Sequence, residues 1–476
     1  MNPKTFISLI TVLWSGACSS IVIPDKSLVI EKDMSIYYKN IGMKYIFYIL
    51  IFCFPLSCNN TTSRLKPNSQ SDIDTISITQ GLKNQIEEFK LSDVVKEIEI
   101  IPLETCPKSI FKFIDNIIVT ENDLFVNARI SVLRFDRKTG LFINQIGSRG
   151  QGPEEFISCA GIGVNETLKN VYVFSSEDNR IQIYSFDGSF ISSKQLLLKG
   201  KTTVGSQHEE NRTYTFWGDK HMLRRMLPLS DGSKDFWSVQ MQDTSGNILA
   251  KFYDPLNIGF EKEMRKKQID GKNTVYYYWT EDSPVFNRYK NSVHFLFDSN
   301  DTIYKFNNQS YVLKPHYFLD CGVRPSVSSI RQLSKDRSFF DYTFVKNMWE
   351  TKDYLFLLAE HDRYISLLRY DKVSKETVSI RAEGEIKNSP VMQILYREVP
   401  VPRFTNDLSG GLGFFPYFQN EHQWITMLDA EDLLEIDLNE LEQDNLIFPN
   451  ERDQLIQVLK RMKLDDNPII MIATLK

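Results

Sequence analysis

The chain has 476 residues, of which 42% are hydrophobic and 25% are charged, so it can bury a large core and is not a disordered protein. The formal net charge is −5, and the one basic cluster is the short run at residues 265–267. This balance disfavours a nucleic-acid-binding protein, which normally has a basic face, and we expect no nucleic-acid partner.

The first elements of the chain are two apolar stretches of the targeting type. The second starts at Met43 and Lys44, has an apolar centre that is short for a membrane span, and ends with a small residue before Cys58. This pattern is typical of a bacterial lipoprotein signal. It predicts that residues 43–57 are removed and that Cys58 is lipidated and becomes the mature N-terminus.

The first apolar stretch, at residues 6–18, also ends in a sequence that is acceptable as a signal-peptide processing site. Residues 23–42 then carry mixed charges and no repeat pattern, whereas Met43 opens the better signal. We therefore predict that residues 1–42 come from an over-long gene start. A paired transmembrane hairpin is the alternative, and the few anchoring charges at its flanks disfavour it.

A polar tether and lead-in is predicted for residues 58–93. It opens with the flexible run at residues 59–63, and residues 85–96 favour a short helix or an extended segment. The folded region is predicted to cover residues 94–476, with its first strand at residues 98–103.

Units of strand, turn and strand repeat through this folded region. The clearest pair has equivalent residues at Phe135 and Phe186, 51 residues apart, and each is followed by an aspartate and a glycine. A four-stranded blade spans roughly 40 to 50 residues. Looser units follow at residues 236–246, 293–306 and 354–371. Because one unit cannot cover both faces of its own sheet, the units must stack around an axis.

The segment at residues 147–156 reads GSRGQGPEEF and directly follows the apolar run at residues 141–146. Its glycines allow positive φ and its proline favours a reversal, so it predicts the turn that leads from one sheet to the next. The predicted residues of this structural turn are Gly147, Gly150, Gly152, Pro153 and Phe156.

This segment resembles the G-x-x-G-x-G-P-G-E-F signature of the six-bladed β-propeller lipoproteins of Gram-negative bacteria, a group similar to NHL-repeat propellers. Glu154 departs from the signature, in which glycine is usual, so the turn is less sharp or tolerates a side chain there. Residues 97–105, 299–306 and 466–476 support the resemblance. It implies an all-β, six-bladed propeller of four-stranded antiparallel blades, without one agreed activity.

The end of the chain differs from the repeats. Residues 450–462 carry apolar residues at helical spacing, with Asn450 as the predicted N-cap, which indicates one short C-terminal helix. Residues 469–475 then form a predicted closing strand. We expect this strand to share a blade with strands from the N-terminal region, as circular folds require.

Motifs of catalysis or metal binding are not found. The histidines occur singly, no G-x-S-x-G elbow exists, and the glycine-rich residues 409–413 lack the lysine of a phosphate loop. Those glycines predict a turn that faces the axis or a ligand. We predict no catalytic residue, metal ligand or cofactor, with calcium as the alternative. The six histidines are His208, His221, His294, His316, His361 and His422.

The cysteines that remain after Cys58 are Cys106, Cys159 and Cys321. An odd number of thiols excludes a complete disulfide framework, although one bridge among the three stays open. We interpret them as small buried apolar residues, the usual state of a free cysteine.

Two other features have a binding interpretation and a structural one. The aromatic run at residues 276–279 can be interpreted as a stacking platform for a sugar or as ordinary packing within a strand. We favour packing. Three charged residues of the glycine-rich turn can be interpreted as the lining of a rim pocket or as solvated charges: Arg149, Glu154 and Glu155. We favour solvated charges. The sequence does not indicate which residues bind the ligand.

Three functional classes follow. The preferred one is a monomeric cell-envelope lipoprotein, lipid-anchored to the outer membrane, whose propeller mouth is a non-catalytic binding or scaffold module for a peptide, a glycan or an envelope protein. The alternative is a propeller hydrolase or lyase with a metal in the central channel. The third is a structural partner of an outer-membrane complex. The metal ligands of the alternative would come from separate blades and leave no local motif, and the acidic and amide residues are too common as types to choose between: Asp282, Asn287, Asp298 and Asn406.

Overall fold

Several strands of the described region end in tight turns that carry an aspartate, which is why the repeats are visible in the sequence. Asp136 accepts hydrogen bonds from the backbone N–H of Thr139 at 2.8 Å and from its hydroxyl at 2.7 Å. Asp187 accepts one from the N–H of Ser189 at 3.0 Å, and Asp371 binds the turn after it in the same way. Each carboxylate thus replaces a backbone acceptor and favours the reversal.

A computed structural model describes residues 73–175, 180–195, 214–217, 220–224, 239–243, 247–253, 285–290, 292–297, 300–307, 311–324, 340–386 and 399–476. These residues belong to one compact unit of the chain, Ser71–Lys476. The predictions of an over-long start, a signal peptide and lipidation at Cys58 lie outside the described residues. Within the described ranges, no helix is long and apolar enough to cross a membrane.

The described strands form six sheets, numbered here along the chain. The first sheet contains β3 (Asn116–Val119), β4 (Asp123–Asn127), β5 (Val132–Asp136) and β6 (Phe142–Ile146). The second contains β7 (Gly161–Asn165), β8 (Asn170–Ser175), β9 (Arg180–Ser185) and β10 (Phe190–Gln195). The third contains β11 (Tyr214–Trp217), β12 (Lys220–Arg224), β13 (Val239–Asp243) and β14 (Ile248–Phe252).

The later sheets include strands from the start of the chain. The fourth sheet contains β15 (Val285–Tyr289), β16 (Ser292–Leu296), β17 (Thr302–Asn307), β18 (Val312–Asp320) and β1 (Asp74–Ser77). The fifth contains β19 (Phe344–Glu350), β20 (Tyr354–His361), β21 (Tyr364–Asp371) and β22 (Thr377–Arg381). The sixth contains β23 (Phe418–Gln419), β24 (Gln423–Leu428), β25 (Ile469–Leu475) and β2 (Val95–Pro102).

This is an all-β propeller with four-stranded antiparallel blades, as the sequence predicts. Five of the described sheets have that form, so the prediction of six such blades was wrong in the fourth sheet. There β1 pairs in parallel with β18, from Asp74↔Tyr317 to Ser77↔Asp320. The reason is that residues predicted to be a tether supply a fifth strand, which covers the outer edge of the sheet and its unpaired backbone groups. Ordered structure therefore begins before the predicted boundary at residue 94.

Hydrophobic clusters fill the spaces between neighbouring sheets. One joins the first and second sheets around Phe125 and Val173, and another joins the fourth and fifth around Leu296 and Leu357. A third joins the sixth sheet to the first, around Ile472. The first strands of the sheets are innermost, because β3 contacts β7, β7 contacts β11, and β15 contacts β19. The sheets thus follow one another around an axis.

The closing strand is confirmed. β25 pairs antiparallel with β2, from Pro102↔Ile469 to Val95↔Leu475, and also pairs with β24. The sixth sheet therefore unites the N-terminal and C-terminal strands of the described region, so neither can leave without opening the ring.

The short C-terminal helix is also confirmed, but with a different start. Its N-cap is Phe448 instead of Asn450, since Pro449 occupies the first helical position, where its missing N–H has no cost. Leu455 and Ile456 pack into the core beside the sixth sheet. The helices are α1 (Ile78–Lys83), α2 (Ala430–Leu433), α3 (Leu438–Gln443) and α4 (Pro449–Leu459), and residues Leu91–Asp93 form a 3₁₀ turn.

The cysteines of the described region are free. Cys159 and Cys321 are buried, as predicted, and Cys106 is half-buried. Burial raises the pKa of the Cys159 and Cys321 thiols, to about 12 for Cys321, so both are protonated at neutral pH.

Candidate functional site

The GSRGQGPEEF segment follows β6 and fastens the first sheet to the second. Phe156 is fully buried and packs edge-on against the Tyr184 ring, with 6.4 Å between the centroids. Gly147 has a positive φ of 62°, and a Cβ there would lie 2.6 Å from the Tyr184 ring. The Tyr184 hydroxyl donates to the carbonyl oxygen of Glu154 at 2.8 Å. These contacts are internal to the fold.

The other turn residues are held within the same segment. Glu155 Oε2 accepts from the N–H of Gly152 at 2.8 Å, and Arg149 Nε donates to the carbonyl oxygen of Ile157 at 3.1 Å. Pro153 and the side chain of Glu154 are exposed. An exposed side chain explains how glutamate is accommodated at this position.

A group of amides lies where the innermost strands of the fourth, fifth and sixth sheets meet. Asn287 is buried in β15, and its Nδ2 donates to the carbonyl oxygen of Met348 at 3.1 Å and to Oε1 of Gln419 at 3.0 Å. Its Oδ1 is buried without a hydrogen-bond partner in the described residues. This acceptor is available to a donor group that is not part of the described chain.

Charged residues lie next to these amides along the chain, since Arg288 follows Asn287 in β15 and Glu421 lies two residues after Gln419. Burial lowers the pKa of Arg288 to about 10, although the negative charge of Glu421 acts to raise it. The guanidinium therefore stays charged at neutral pH. Glu421 lies in the turn between β23 and β24, which Asn420 holds by accepting from the N–H of His422 at 2.9 Å. The region around the amides thus carries both signs of charge, from Arg288 and Glu421.

A second polar cluster lies between the fourth and fifth sheets, at the end of their shared apolar core. Glu350, the last residue of β19, has Oε2 at 2.5 Å from Nδ1 of His294 and Oε1 at 2.7 Å from Nζ of Lys372. The Tyr317 hydroxyl donates to Oε1 at 3.3 Å. The ring of His316 lies 4.9 Å from that of His294 between centroids.

A bulge in β18 brings two consecutive residues into this cluster. The register with β17 shifts from Ile303↔Tyr317 to Tyr304↔Pro315, which leaves His316 without a pairing partner on β17. A bulge redirects side chains that would otherwise alternate between faces. This is how His316 and Tyr317 both reach the neighbourhood of Glu350.

The electrostatics of the cluster follow from its burial. Burial alone would raise the pKa of Glu350, but His294 and Lys372 outweigh it and hold that pKa well below its usual range. Burial lowers the pKa of Lys372, and Glu350 opposes that effect. Burial and the neighbouring His294 lower the pKa of His316 to about 4, so His316 is neutral at pH 7. Burial raises the pKa of Tyr317, which stays protonated.

The sequence matches the family described as a domain of unknown function, DUF4934, over residues 73–474. The chain belongs to the DUF4934 family. Among curated proteins, none matches this DUF4934 protein.

Solved structures similar to the DUF4934 protein include three from Bacteroides species. A "putative exported protein" of Bacteroides fragilis NCTC 9343 has a TM-score of 0.55 at 16% identity, over 85% of this chain and 99% of that one. A DUF4221 family member of Bacteroides vulgatus ATCC 8482 has a TM-score of 0.40 at 12% identity, over 63% and 87%. The extracellular domain of a "putative one component system" of B. thetaiotaomicron has a TM-score of 0.31 at 13% identity, over 62% of this chain and 30% of that one. The first of these supports the fold.

The structure separates two of the four acidic and amide residues considered for the metal alternative. Asn287 lies on an innermost strand, whereas Asn406 is buried in a turn, where Nδ2 donates to the carbonyl oxygen of Gly410 at 2.6 Å. Asp282, Asp298 and the aromatic run at residues 276–279 lie outside the described residues.

The glycine-rich turn does not have the surroundings that the sequence predicts. A Cβ on Gly410 would lie 2.6 Å from Cδ1 of Leu441, and one on Gly411 would lie 3.1 Å from Cδ2 of Leu455. The turn therefore supports α3 and α4, and the prediction that it faces the axis or a ligand was wrong. Positive φ at both glycines is the feature that required them.

Sequence reasoning also missed the pairing of His294 with His316. Their separation of 22 residues matches no local metal motif, since the two belong to different strands of one sheet. A bulge brings them together, and a one-residue register shift leaves no periodic signal in the sequence.

Proposed function

We propose that this DUF4934 protein is a lipoprotein of the cell envelope that binds another molecule at the propeller mouth without catalysis. One support is the sequence pattern before Cys58. A further support is the fold shared with a protein described as exported, which aligns over 85% of this chain. On this proposal the lipid anchors the chain to the outer membrane and the propeller works as a monomer.

The anchor has a direct test with two matched control cysteines. Cells expressing the full chain are labelled with a clickable fatty acid, and we expect label on the wild type and none on Cys58→Ser. Cys53→Ser changes a cysteine inside the predicted signal and should keep the label. Cys18→Ser tests the first apolar stretch, and loss of label there instead would move the lipidation site to that cysteine.

We also propose that the fourth sheet is the sixth blade of an NHL-like propeller. Its strands β15 to β18 follow one another antiparallel, as in the other sheets, and β1 is an addition at its edge. The cluster that joins the sixth sheet to the first supports a closed ring. An experimental structure that shows the fourth sheet outside the ring would contradict this blade count.

The observation that carries the binding role is the meeting of three inner strands at Asn287, Met348 and Gln419. It combines a buried amide, Asn287, and a half-buried one, Gln419, with one acceptor that no described residue satisfies. Binding sites typically place a few convergent polar groups at such a position, where they fix the orientation of a ligand. Amide and carbonyl groups suit a ligand with many hydrogen-bonding groups, such as a peptide or a glycan.

The test is an array of glycans and peptides probed with the full-length protein. For a ligand that binds, we expect Gln419→Ala to weaken binding about tenfold, the usual effect of losing one or two well-placed hydrogen bonds. Gln443→Ala, on the exposed end of α3, is the matched control and should bind as the wild type does. A ligand whose affinity is unchanged in Gln419→Ala would place the binding surface elsewhere.

The alternative is a propeller hydrolase or lyase with a metal in the channel. Asn287 favours it, because its free Oδ1 lies on an innermost strand and amide oxygens are ligands of calcium. Turnover in a hydrolase panel, together with a blank array, would replace the binding role by this one. Loss of turnover on chelation would then identify the metal as a requirement.

A further inference from the structure

Two imidazoles and one carboxylate converge between the fourth and fifth sheets, next to the amides of the inner strands, since His294 pairs with Asn287 across β15 and β16. The ligand atoms that His294, His316 and Glu350 can offer all lie within 4.8 Å of one another. His294 and Glu350 are buried and His316 is half-buried. We propose that these three side chains bind a divalent metal ion of the zinc class.

The hydrogen bonds around Ser292 determine which nitrogen of His294 faces the carboxylate. The Ser292 hydroxyl donates to the carbonyl oxygen of Tyr289 at 2.6 Å, so it accepts from Nε2 of His294 at 3.3 Å. Nε2 therefore carries the proton of the neutral ring. Nδ1 then has a lone pair that points towards Oε2 of Glu350, 2.5 Å away.

A lone pair and a carboxylate oxygen repel each other, so a cation has to lie between them. That cation is a second proton on His294 or a metal ion. The 2.5 Å contact between Nδ1 and Oε2 fits a proton between them, and a metal ion that replaced this proton would be held by the same two atoms. His316 adds a second imidazole beside the pair, which a protonated His294 does not need and a metal ion does.

The donor set favours zinc over calcium or magnesium. Two imidazole nitrogens and one carboxylate oxygen form a common zinc site with a fourth position open to water, whereas calcium and magnesium require oxygen ligands. Ligand atoms of tetrahedral zinc lie about 3.3 Å apart. Nδ1 and Oε2 therefore have to separate slightly, which a rotation of the Glu350 side chain allows.

Lys372 and Ser292 are the second shell of this site. Lys372 binds Oε1 of Glu350 and leaves Oε2 to the metal, while Ser292 fixes the ring of His294. The ammonium also repels a metal cation, so we expect micromolar rather than nanomolar affinity. This metal site does not depend on the binding role of the propeller mouth, and the array of ligands tests that role separately.

The experiment uses the full-length protein after removal of metals with a chelator and dialysis. Isothermal titration with ZnCl₂ should give one site per chain, and the melting temperature should rise with zinc and fall again on chelation. Co²⁺ should produce the visible absorption of a four- or five-coordinate site. Failure to bind stoichiometric zinc, or binding of Ca²⁺ or Mg²⁺ alone, would overturn the proposal.

Variants assign the zinc to these residues. His316→Ala should weaken zinc binding at least tenfold, and Glu350→Gln should do the same by removing the anionic ligand. His422→Ala is the control, because its side chain is 83% exposed in a turn of the sixth sheet. If Glu350→Gln does not fold, the His316→Ala variant provides the test, because His316 is only half-buried. Zinc binding by a folded His316→Ala variant with wild-type affinity would exclude the proposed site.

Discussion

Ile469 at the start of β25 pairs with Pro102 at the end of β2, so residues separated by most of the folded chain are neighbours in one sheet. This pairing makes the last strand a structural element of the whole ring. Its buried face packs against the first sheet through Ile470 and Ile472, both fully buried.

Replacing Ile472 by alanine should lower the free energy of unfolding by about 2–5 kcal/mol, since it removes packing at the contact that closes the ring. Urea unfolding followed by circular dichroism measures the change. Leu464→Ala is the control, because that side chain is 70% exposed and its loss should change stability by less than about 0.5 kcal/mol. A loss below 1 kcal/mol at Ile472 would argue against closure through β25.

Gly147→Ala tests the turn that joins the first two sheets. Gly147 and Gly384 both have positive φ, but only Gly147 has a ring close to the position of a new Cβ, which would lie 2.6 Å from Tyr184. Gly384→Ala should therefore lower the free energy of unfolding by about 1 kcal/mol through backbone strain alone, and Gly147→Ala should lower it by at least twice that amount. Thermal unfolding compares the two. Equal costs would show that the Tyr184 contact does not constrain the turn.

The fold could be predicted where the sequence repeats a local rule. Asp136 and Asp187 mark equivalent turns, and the closing strand is a short apolar run near the chain end, so both are visible as patterns. The fifth strand of the fourth sheet could not be predicted in this way. Ile76 and Ile78 are two buried residues in a largely polar stretch, and the partner strand of β1 lies more than two hundred residues away. Such pairing depends on tertiary contacts that leave no local period.

The candidate site was less predictable than the fold. Asn287 was one of four residues too common in type for any to be chosen as a metal ligand, and its place beside Gln419 depends on the meeting of inner strands from separate sheets. His294, His316 and Glu350 likewise come from three strands and a bulge. Residues that converge only through the closure of a ring carry no spacing signal that a sequence pattern can detect.

The turn aspartates predict a pH dependence of stability. Hydrogen bonds from the hydroxyl and then the N–H of Thr139 lower the pKa of Asp136 below its ordinary value. A carboxyl with a lowered pKa in the folded state contributes stability that is fully present above the unfolded pKa, about 3.9. That contribution is lost as the pH falls from about 4 through the lower folded value.

Asp136→Asn should therefore melt at a lower temperature than the wild type at pH 7, and this difference should shrink between pH 4 and pH 2. Melting curves across this range measure it. Asp465→Asn changes an exposed carboxylate before β25 and should follow the wild type at every pH. A constant difference between Asp136→Asn and the wild type would contradict a role for the ionised carboxylate.

The last prediction concerns β1, which belongs to a segment that the sequence assigned to a tether. Ile76 is fully buried and packs into the core between the fourth and fifth sheets, whereas its neighbour Thr75 is exposed. If β1 is an integral strand, Ile76→Ala should lower the free energy of unfolding by about 2–4 kcal/mol, and Thr75→Ala should leave it nearly unchanged. Limited proteolysis adds a local measurement, because a released β1 becomes susceptible to cleavage while the remaining sheets stay protected. Equal stability of the two variants would mean that β1 is a dispensable edge and that the fourth sheet is stable with four strands.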